Sequence, residues 1–189
     1  MISTGDLKKG VVIEVDGTQY QVVDWEHIKV GRGSAQVRLK LRDIRAGHQM
    51  ERTFQAGTKW PRVRMESVAM QYLYSDGDFY YFMNTATFEQ IPLSERVVGG
   101  ALPFLAENQG VEVLFAADDP IGVDLPAAVS LRVAKSEPGI RGDTASGATK
   151  PATLSTGHTV TVPLFIGPGD LIKVDTRTGQ YLERVEAAS

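Results

Sequence analysis

Val37-Arg38-Leu39-Lys40-Leu41-Arg42 is the stretch on which the fold turns. Aliphatic and cationic residues alternate there, and a period of two puts the aliphatics on one side of an extended strand and the cations on the other. A helix would scatter the same residues around its circumference. Working outward, residues 11–15 and 20–23 flank Asp16-Gly17, a dipeptide that tolerates the positive φ of a tight hairpin, and residues 49–54 can pair back after Gly47. The same reasoning places strands at 65–74 and 79–83 around Asp76-Gly77, at 112–115 with a return at 121–123, and at 130–134, 159–166, 171–174 and 181–185. Nowhere does a helical stripe persist for a dozen residues. Residues 94–106 are expected to hold one short helix, interrupted by Gly99-Gly100 and Pro103, and residues 138–149 a Gly/Ser/Thr-rich loop. An all-β chain of small barrels or sandwiches follows, with modules 1–63, 64–127 and 128–189, each about 25–30 Å across by compact-domain scaling.

The chain has 189 residues, 42% of them apolar, which supplies cores but leaves the number of domains open. It contains no cysteine, which excludes a disulfide framework, a thiolate metal site and a thiol nucleophile. The first nine residues lack the apolar stretch of a signal peptide and no run reaches the length of a membrane span, so a cytoplasmic location is expected. Net charge is −3, but it is partitioned. Residues 1–62 carry eleven Lys/Arg against seven Asp/Glu, residues 63–126 two against ten, and residues 127–189 seven against six. One end is basic and the middle acidic.

Within the basic end, Val30-Gly31-Arg32-Gly33-Ser34 brackets one arginine between two glycines. Such a tip presents a guanidinium to phosphate, sugar or a base edge while Lys29, Arg38, Lys40 and Arg42 supply attraction; an ordinary solvated hairpin tip fits the same residues. Gly142-Asp143-Thr144-Ala145-Ser146-Gly147-Ala148-Thr149-Lys150 resembles a phosphate-binding loop superficially. Its lysine stands three places after Gly147 instead of one, and Pro151 blocks the helix that should follow, so nucleotide binding is excluded; a plain connecting loop is favoured over a flexible polar loop able to touch RNA. His27, His48 and His158 are far apart and no metal site is expected. Asp118-Asp119-Pro120 reads as a solvated turn and not as an acid/base pair. Tyr72, Tyr74, Phe79, Tyr80, Tyr81 and Phe82 sit in the acidic middle, where core and cross-strand packing outweighs base stacking.

Lys150-Pro-Ala152-Thr-Leu-Ser-Thr-Gly157-His-Thr-Val160-Thr-Val162-Pro163-Leu-Phe-Ile166-Gly-Pro-Gly169 resembles the signature of the bacterial elongation factor P family at each defining position. Asp170-Leu-Ile-Lys-Val-Asp175-Thr-Arg177-Thr-Gly179-Gln-Tyr181-Leu-Glu-Arg184, Gly139-Ile-Arg141-Gly142-Asp143-Thr144, Gln71-Tyr-Leu-Tyr-Ser-Asp-Gly77 and Phe82-Met-Asn-Thr-Ala-Thr-Phe-Glu-Gln90 look like the same family. Essentially the whole chain is covered.

The resemblance implies an N-terminal SH3-like (KOW-type) barrel followed by two oligonucleotide-binding-fold barrels in an L-shaped, tRNA-like arrangement. It implies a monomeric, non-enzymatic factor that binds the 70S ribosome, through rRNA and ribosomal proteins, between the P and E sites. There it would contact P-site peptidyl-tRNA and relieve stalling at polyproline motifs. Carried over by position, Arg32 is the tip residue at the CCA end and the possible modification site, with Gly31, Gly33 and Ser34 forming the tip. Gly142, Asp143 and Thr144 would face messenger and small subunit, and Tyr181 and Arg184 would lie beside P-site tRNA. Relatives carry a modified lysine in Pro-Gly-Lys-Gly or a rhamnosylated arginine in Ser-Gly-Arg-Asn; Val30-Gly31-Arg32-Gly33 matches neither fully, so an unmodified arginine and no cofactor are expected. The alternative is a stand-alone RNA-binding or RNA-chaperone β-protein using the same basic strand face, which leaves the Val162-Pro163 signature and the acidic middle without explanation.

Overall fold

In the computed structural model, which describes residues 1–29, 31, 33–138 and 147–189, the chain is β throughout except for single helical turns. By contacts it forms two compact units, one of residues 1–67 with 114–121, the other of residues 68–113 with 122–189.

The first unit contains β1 (Ile2–Ser3), β2 (Val12–Val15), β3 (Thr18–Ile28), β4 (Gln36–Asp43), β5 (Gln49–Gln55) and β6 (Lys59–Trp60). Strands β2-β3-β4-β5 form an antiparallel meander, and β6 pairs with β1. An Ile13–Arg62 bridge, with the Glu14 N–H donating to the Pro61 carbonyl at 3.1 Å, ties β2 to the chain after β6. At the β2–β3 turn both Asp16 (φ 52°) and Gly17 (φ 78°) have positive φ, the backbone a two-residue hairpin needs to match strand twist. Strand β4 realises the alternation of residues 37–42 in full: Val37, Leu39 and Leu41 are buried with Ile2, Ile13, Val22 and Trp60, while Arg38, Lys40 and Arg42 face out. Strand β3 runs five residues beyond its expected end at Val23. A register shift between Val22 and Asp24 breaks the alternation there, and Asp24-Trp25-Glu26-His27-Ile28 continues the pairing.

Next come β7 (Met65–Ser75), β8 (Phe79–Asn84), β9 (Gln90–Ser94), α1 (Glu95–Val98), β10 (Gly110–Ala116) and β11 (Asp119–Asp124), with sheet order β11-β10-β7-β8-β9. The expected helix shrinks to the single turn of α1 plus a 3-10 turn over Leu102–Phe104. Tyr72 and Phe82 are core, as packing predicts, whereas Tyr74 and Tyr81 stack at 4.8 Å on a more exposed face. The turn expected at Asp118-Asp119 is confined to Ala117-Asp118. Asp119 already belongs to β11, and its carboxylate pairs with Arg45 at 3.0 Å. The β10–β11 end belongs to the first unit: the Ala117 N–H donates to the Arg64 carbonyl at 2.8 Å, and Ala116 and Ile121 pack with Val12, Ile44 and Val63.

The last sheet contains β12 (Ala128–Ser136), β13 (Thr149–Leu154), β14 (Thr159–Pro163), β15 (Leu171–Asp175) and β16 (Tyr181–Glu186), ordered β14-β13-β12-β15-β16. Val129, Leu131, Val133, Leu154, Val160, Val162, Ile166, Ile172 and Val174 form its core with Phe104. Strand β12 changes partners along its length. Ala128–Arg132 pairs with β15, and from Val133 onward the strand pairs with β13 through a bulge between Val133 and Lys135.

Candidate nucleic-acid interface

Each unit holds one group of the residues singled out by sequence. In the first, Arg38, Lys40 and Arg42 stand on one outward face of β4 because the intervening aliphatics are held in the core. Lys29, Gly31, Gly33 and Ser34, all exposed, follow β3 and precede β4 at the far end of the same hairpin; Gly31 has φ +33° and open space around it. Arg32 lies outside the described residues, as do Gly142, Asp143 and Thr144.

The cations do not stand alone. Register sets Arg38 opposite Glu26 and Lys40 opposite Asp24 on β3, and Lys40 opposite Glu51 on β5. The Arg38 guanidinium pairs with Glu26 at 3.0 Å, and Asp24 pairs with Lys9 at 3.0 Å. Hydrogen bonding to Lys9, then to the Trp25 N–H, holds the Asp24 carboxyl below its ordinary value and keeps it ionised. Arg42 instead faces Gln21 and Gln49. The outward face is therefore a chequerboard of both signs, with a shallow groove lined by Asp24, Trp25, Glu26, Arg38, Lys40 and Glu51. A net charge summed over residues 1–62 misses this, because it is strand pairing that sets Asp24 and Glu26 beside the cations.

In the second unit, Tyr181 and Arg184 lie on β16. Three positions apart, they would point to opposite faces of a regular strand. Register instead pairs Val174 with Tyr181, Lys173 with Glu183, Ile172 with Arg184 and Leu171 with Glu186, leaving Leu182 and Val185 as extra residues. Directly opposed residues share a face, so the bulge at Leu182 brings Tyr181 and Arg184 to the side of buried Val174 and Ile172. Tyr181 packs against the core there. The Arg184 guanidinium carbon sits 5.1 Å from the centre of the Phe165 ring, and its Nη1 lies 3.7 Å from Asp170.

Two residues beside Arg184 escaped the sequence reading. Phe165 is 62% exposed, turned outward because its neighbour Ile166 fills the core and the Ile166 N–H closes a turn onto the Pro163 carbonyl at 3.1 Å. Asp170 is only 5% exposed and accepts N–H donations from Gly167 (2.9 Å) and Ala188 (2.7 Å). Those two bonds, with a lesser contribution from Arg184, lower its pKa below the ordinary carboxylate value. Both residues lie inside the quoted motifs, but nothing in their spacing reveals a partner on β16, with β15 intervening in the chain.

Among the described residues no group of three or more His, Asp and Glu is placed to hold a metal, and no helix is long and apolar enough to cross a membrane. His27 and His158 make edge contacts with Trp25 and Phe104, each at 5.1 Å between ring centres.

Comparison with known proteins matches three consecutive stretches to family models. Residues 3–60 match the elongation factor P KOW-like domain, residues 65–123 the elongation factor P OB domain, and residues 129–184 the elongation factor P C-terminal model. An elongation factor P of Acetivibrio thermocellus is 51% identical over 185 residues, spanning 98% of this chain and 100% of its own length. One from Moorella thermoacetica is 52% identical over 184 residues, spanning 97% and 100%. Among solved structures, a eukaryotic translation initiation factor 5A from Methanococcus jannaschii aligns over 65% of this chain and 94% of its own at 22% identity and a TM-score of 0.48.

Proposed function

Because this chain belongs to the elongation factor P family, being a non-enzymatic translation elongation factor built of KOW-like and OB-type β modules, we propose that it binds the ribosome between the P and E sites and relieves stalling at polyproline motifs. The observation that carries this reading is the collinear match of all three modules along the whole chain. On this reading the modules are 1–63, 64–127 and 128–189, and the factor works in the cytoplasm as a monomer.

Prolines are poor partners in peptide-bond formation, since the ring restricts the backbone and the nitrogen is secondary, so a peptidyl-tRNA ending in prolines spends little time in reactive geometry. A factor that fixes the CCA end raises that fraction, and a tenfold gain requires only about 1.4 kcal/mol. Arg32, carried between Gly31 and Gly33, is the group that reaches the CCA end, and it acts unmodified. Lys29, Arg38, Lys40 and Arg42 hold rRNA or tRNA phosphates alongside. Gly142, Asp143 and Thr144 approach messenger and small subunit, and Tyr181 and Arg184 the P-site tRNA. The chequerboard of β4 supports a contact in which Arg38 and Lys40 exchange carboxylate for phosphate, so attraction is held in check until a properly placed backbone arrives.

The test is reconstituted synthesis through a triple-proline reporter. Wild-type protein should accelerate it, and Arg32→Ala should lose most of the acceleration while still binding ribosomes; intact mass of the native protein should equal that of the unmodified chain. Tight binding to arbitrary RNA with no acceleration at prolines would overturn the reading in favour of a general RNA binder.

A further inference from the structure

We propose that Phe165 and Arg184 form one composite nucleotide-binding shelf, in which the exposed ring takes the apolar face of a base or ribose and the guanidinium takes the adjoining phosphate. This rests on the reading that Arg184 meets RNA and adds what that reading leaves unsaid: what holds Arg184, and what else touches the ligand.

The geometry has three parts. Arg184 is brought to the face of β16 that carries Tyr181 by the bulge at Leu182, on the last strand of the sheet order. Its guanidinium then has two neighbours, the Phe165 ring at 5.1 Å and the Asp170 carboxylate at 3.7 Å. Asp170 cannot follow the arginine outward, since both its oxygens are held by the N–H groups of Gly167 and Ala188, and a side chain at Gly169 would meet Ala188 at 2.9 Å. The ion pair is long and single-pronged, so it orients the guanidinium without consuming it. The Arg184 side chain is 39% exposed, so solvent and ligand can reach the guanidinium.

Phe165 is the informative member. An aromatic ring left 62% exposed gains little from burial, yet the turn over Pro163–Ile166 presents it outward beside a positioned cation. Ring and guanidinium together reproduce the pairing of stacking surface and cationic group with which proteins hold unpaired nucleotides, where each stacked base contributes about 1–3 kcal/mol. RNA fits better than a protein partner because the guanidinium supplies the phosphate contact and the ring accepts any base.

The experiment measures binding to ribosomes carrying initiator tRNA in the P site, across several salt concentrations, for wild type, Phe165→Leu, Phe165→Tyr, Arg184→Ala and the Phe165→Leu/Arg184→Ala double variant. Phe165→Leu should weaken binding roughly five- to tenfold with no change in thermal midpoint and no change in salt slope, since no charge is removed. Phe165→Tyr should restore binding. Arg184→Ala should reduce the slope by about 0.7–0.9, one phosphate, and the Phe165→Leu effect should shrink in its background because the shelf is one unit. Full binding by Phe165→Leu, or equal and additive losses in both backgrounds, overturns the shelf. Failure of the wild-type protein to bind such ribosomes at all would instead remove the underlying functional reading.

Discussion

Replacing Arg38, Lys40 and Arg42 together by glutamine tests whether the outward face of β4 meets nucleic acid. If each cation neutralised one phosphate, each would contribute about 0.7–0.9 to the slope of log affinity against log salt, and the three together about 2.1–2.7. The structure divides them unequally. Arg42 faces Gln21 and Gln49 and should give its full increment, whereas Arg38 is paired with Glu26 and Lys40 stands between Asp24 and Glu51. Those carboxylates already act as counterions, so fewer mobile ions are released when phosphate displaces them. The triple variant should therefore flatten the slope by about 1 to 2.7, with Arg42→Gln alone supplying the largest single share. At the upper end, the fall in wild-type affinity between 50 and 200 mM salt exceeds that of the variant by roughly 40-fold, and at the lower end by roughly fourfold. Ribosome binding by a labelled protein at four or more salt concentrations reads this directly. A triple variant with the wild-type slope would refute the assignment of this strand face to RNA, whatever its absolute affinity.

Two further outcomes concern the scaffold. Leu39→Ala, which empties a fully buried position in the β4 core, should cost about 2–5 kcal/mol in urea unfolding while leaving the cation row in place; a loss below 1 kcal/mol would contradict the packing. Acid should destabilise the protein through Asp170, lowered first by the Gly167 and Ala188 N–H bonds, and Asp175, lowered first by the Thr178 and Arg177 N–H bonds. Their folded pKa values lie below the unfolded ones, so this stability is present above about pH 4 and lost as pH falls through the folded values; Asp170→Asn should blunt the acid slope, and an unchanged profile would count against it.

Much of the architecture was legible because alternation was clean. Val37, Leu39 and Leu41 alternating with cations, or Val160 and Val162 alternating with Thr159 and Thr161, admit one reading. Legibility failed where a bulge or a proline broke the period. The shift at Val23 hid Asp24–Ile28, whose polar residues look like a loop, and Pro151 hid β13, where it pairs with Thr161 on β14. The site was legible as residue types and not as neighbours. The tip glycines and the alternating cations could be named from spacing, but Glu26 beside Arg38, and Phe165 and Asp170 around Arg184, are products of strand register that linear distance does not encode.

The β10–β11 end carries a lesson about severing this protein. A fragment ending at residue 63 follows a natural reading of the sequence, yet it leaves behind Ala116 and Ile121, which pack on Val12, Ile44 and Val63, and Asp119, which pairs with Arg45. Such a fragment would present an uncovered apolar patch to water and invite self-association, so a weakly behaved N-terminal piece would say nothing against the stability of that module in the whole chain. The compact unit is discontinuous in the chain: its second piece begins about fifty residues downstream of where the peptide would be cut.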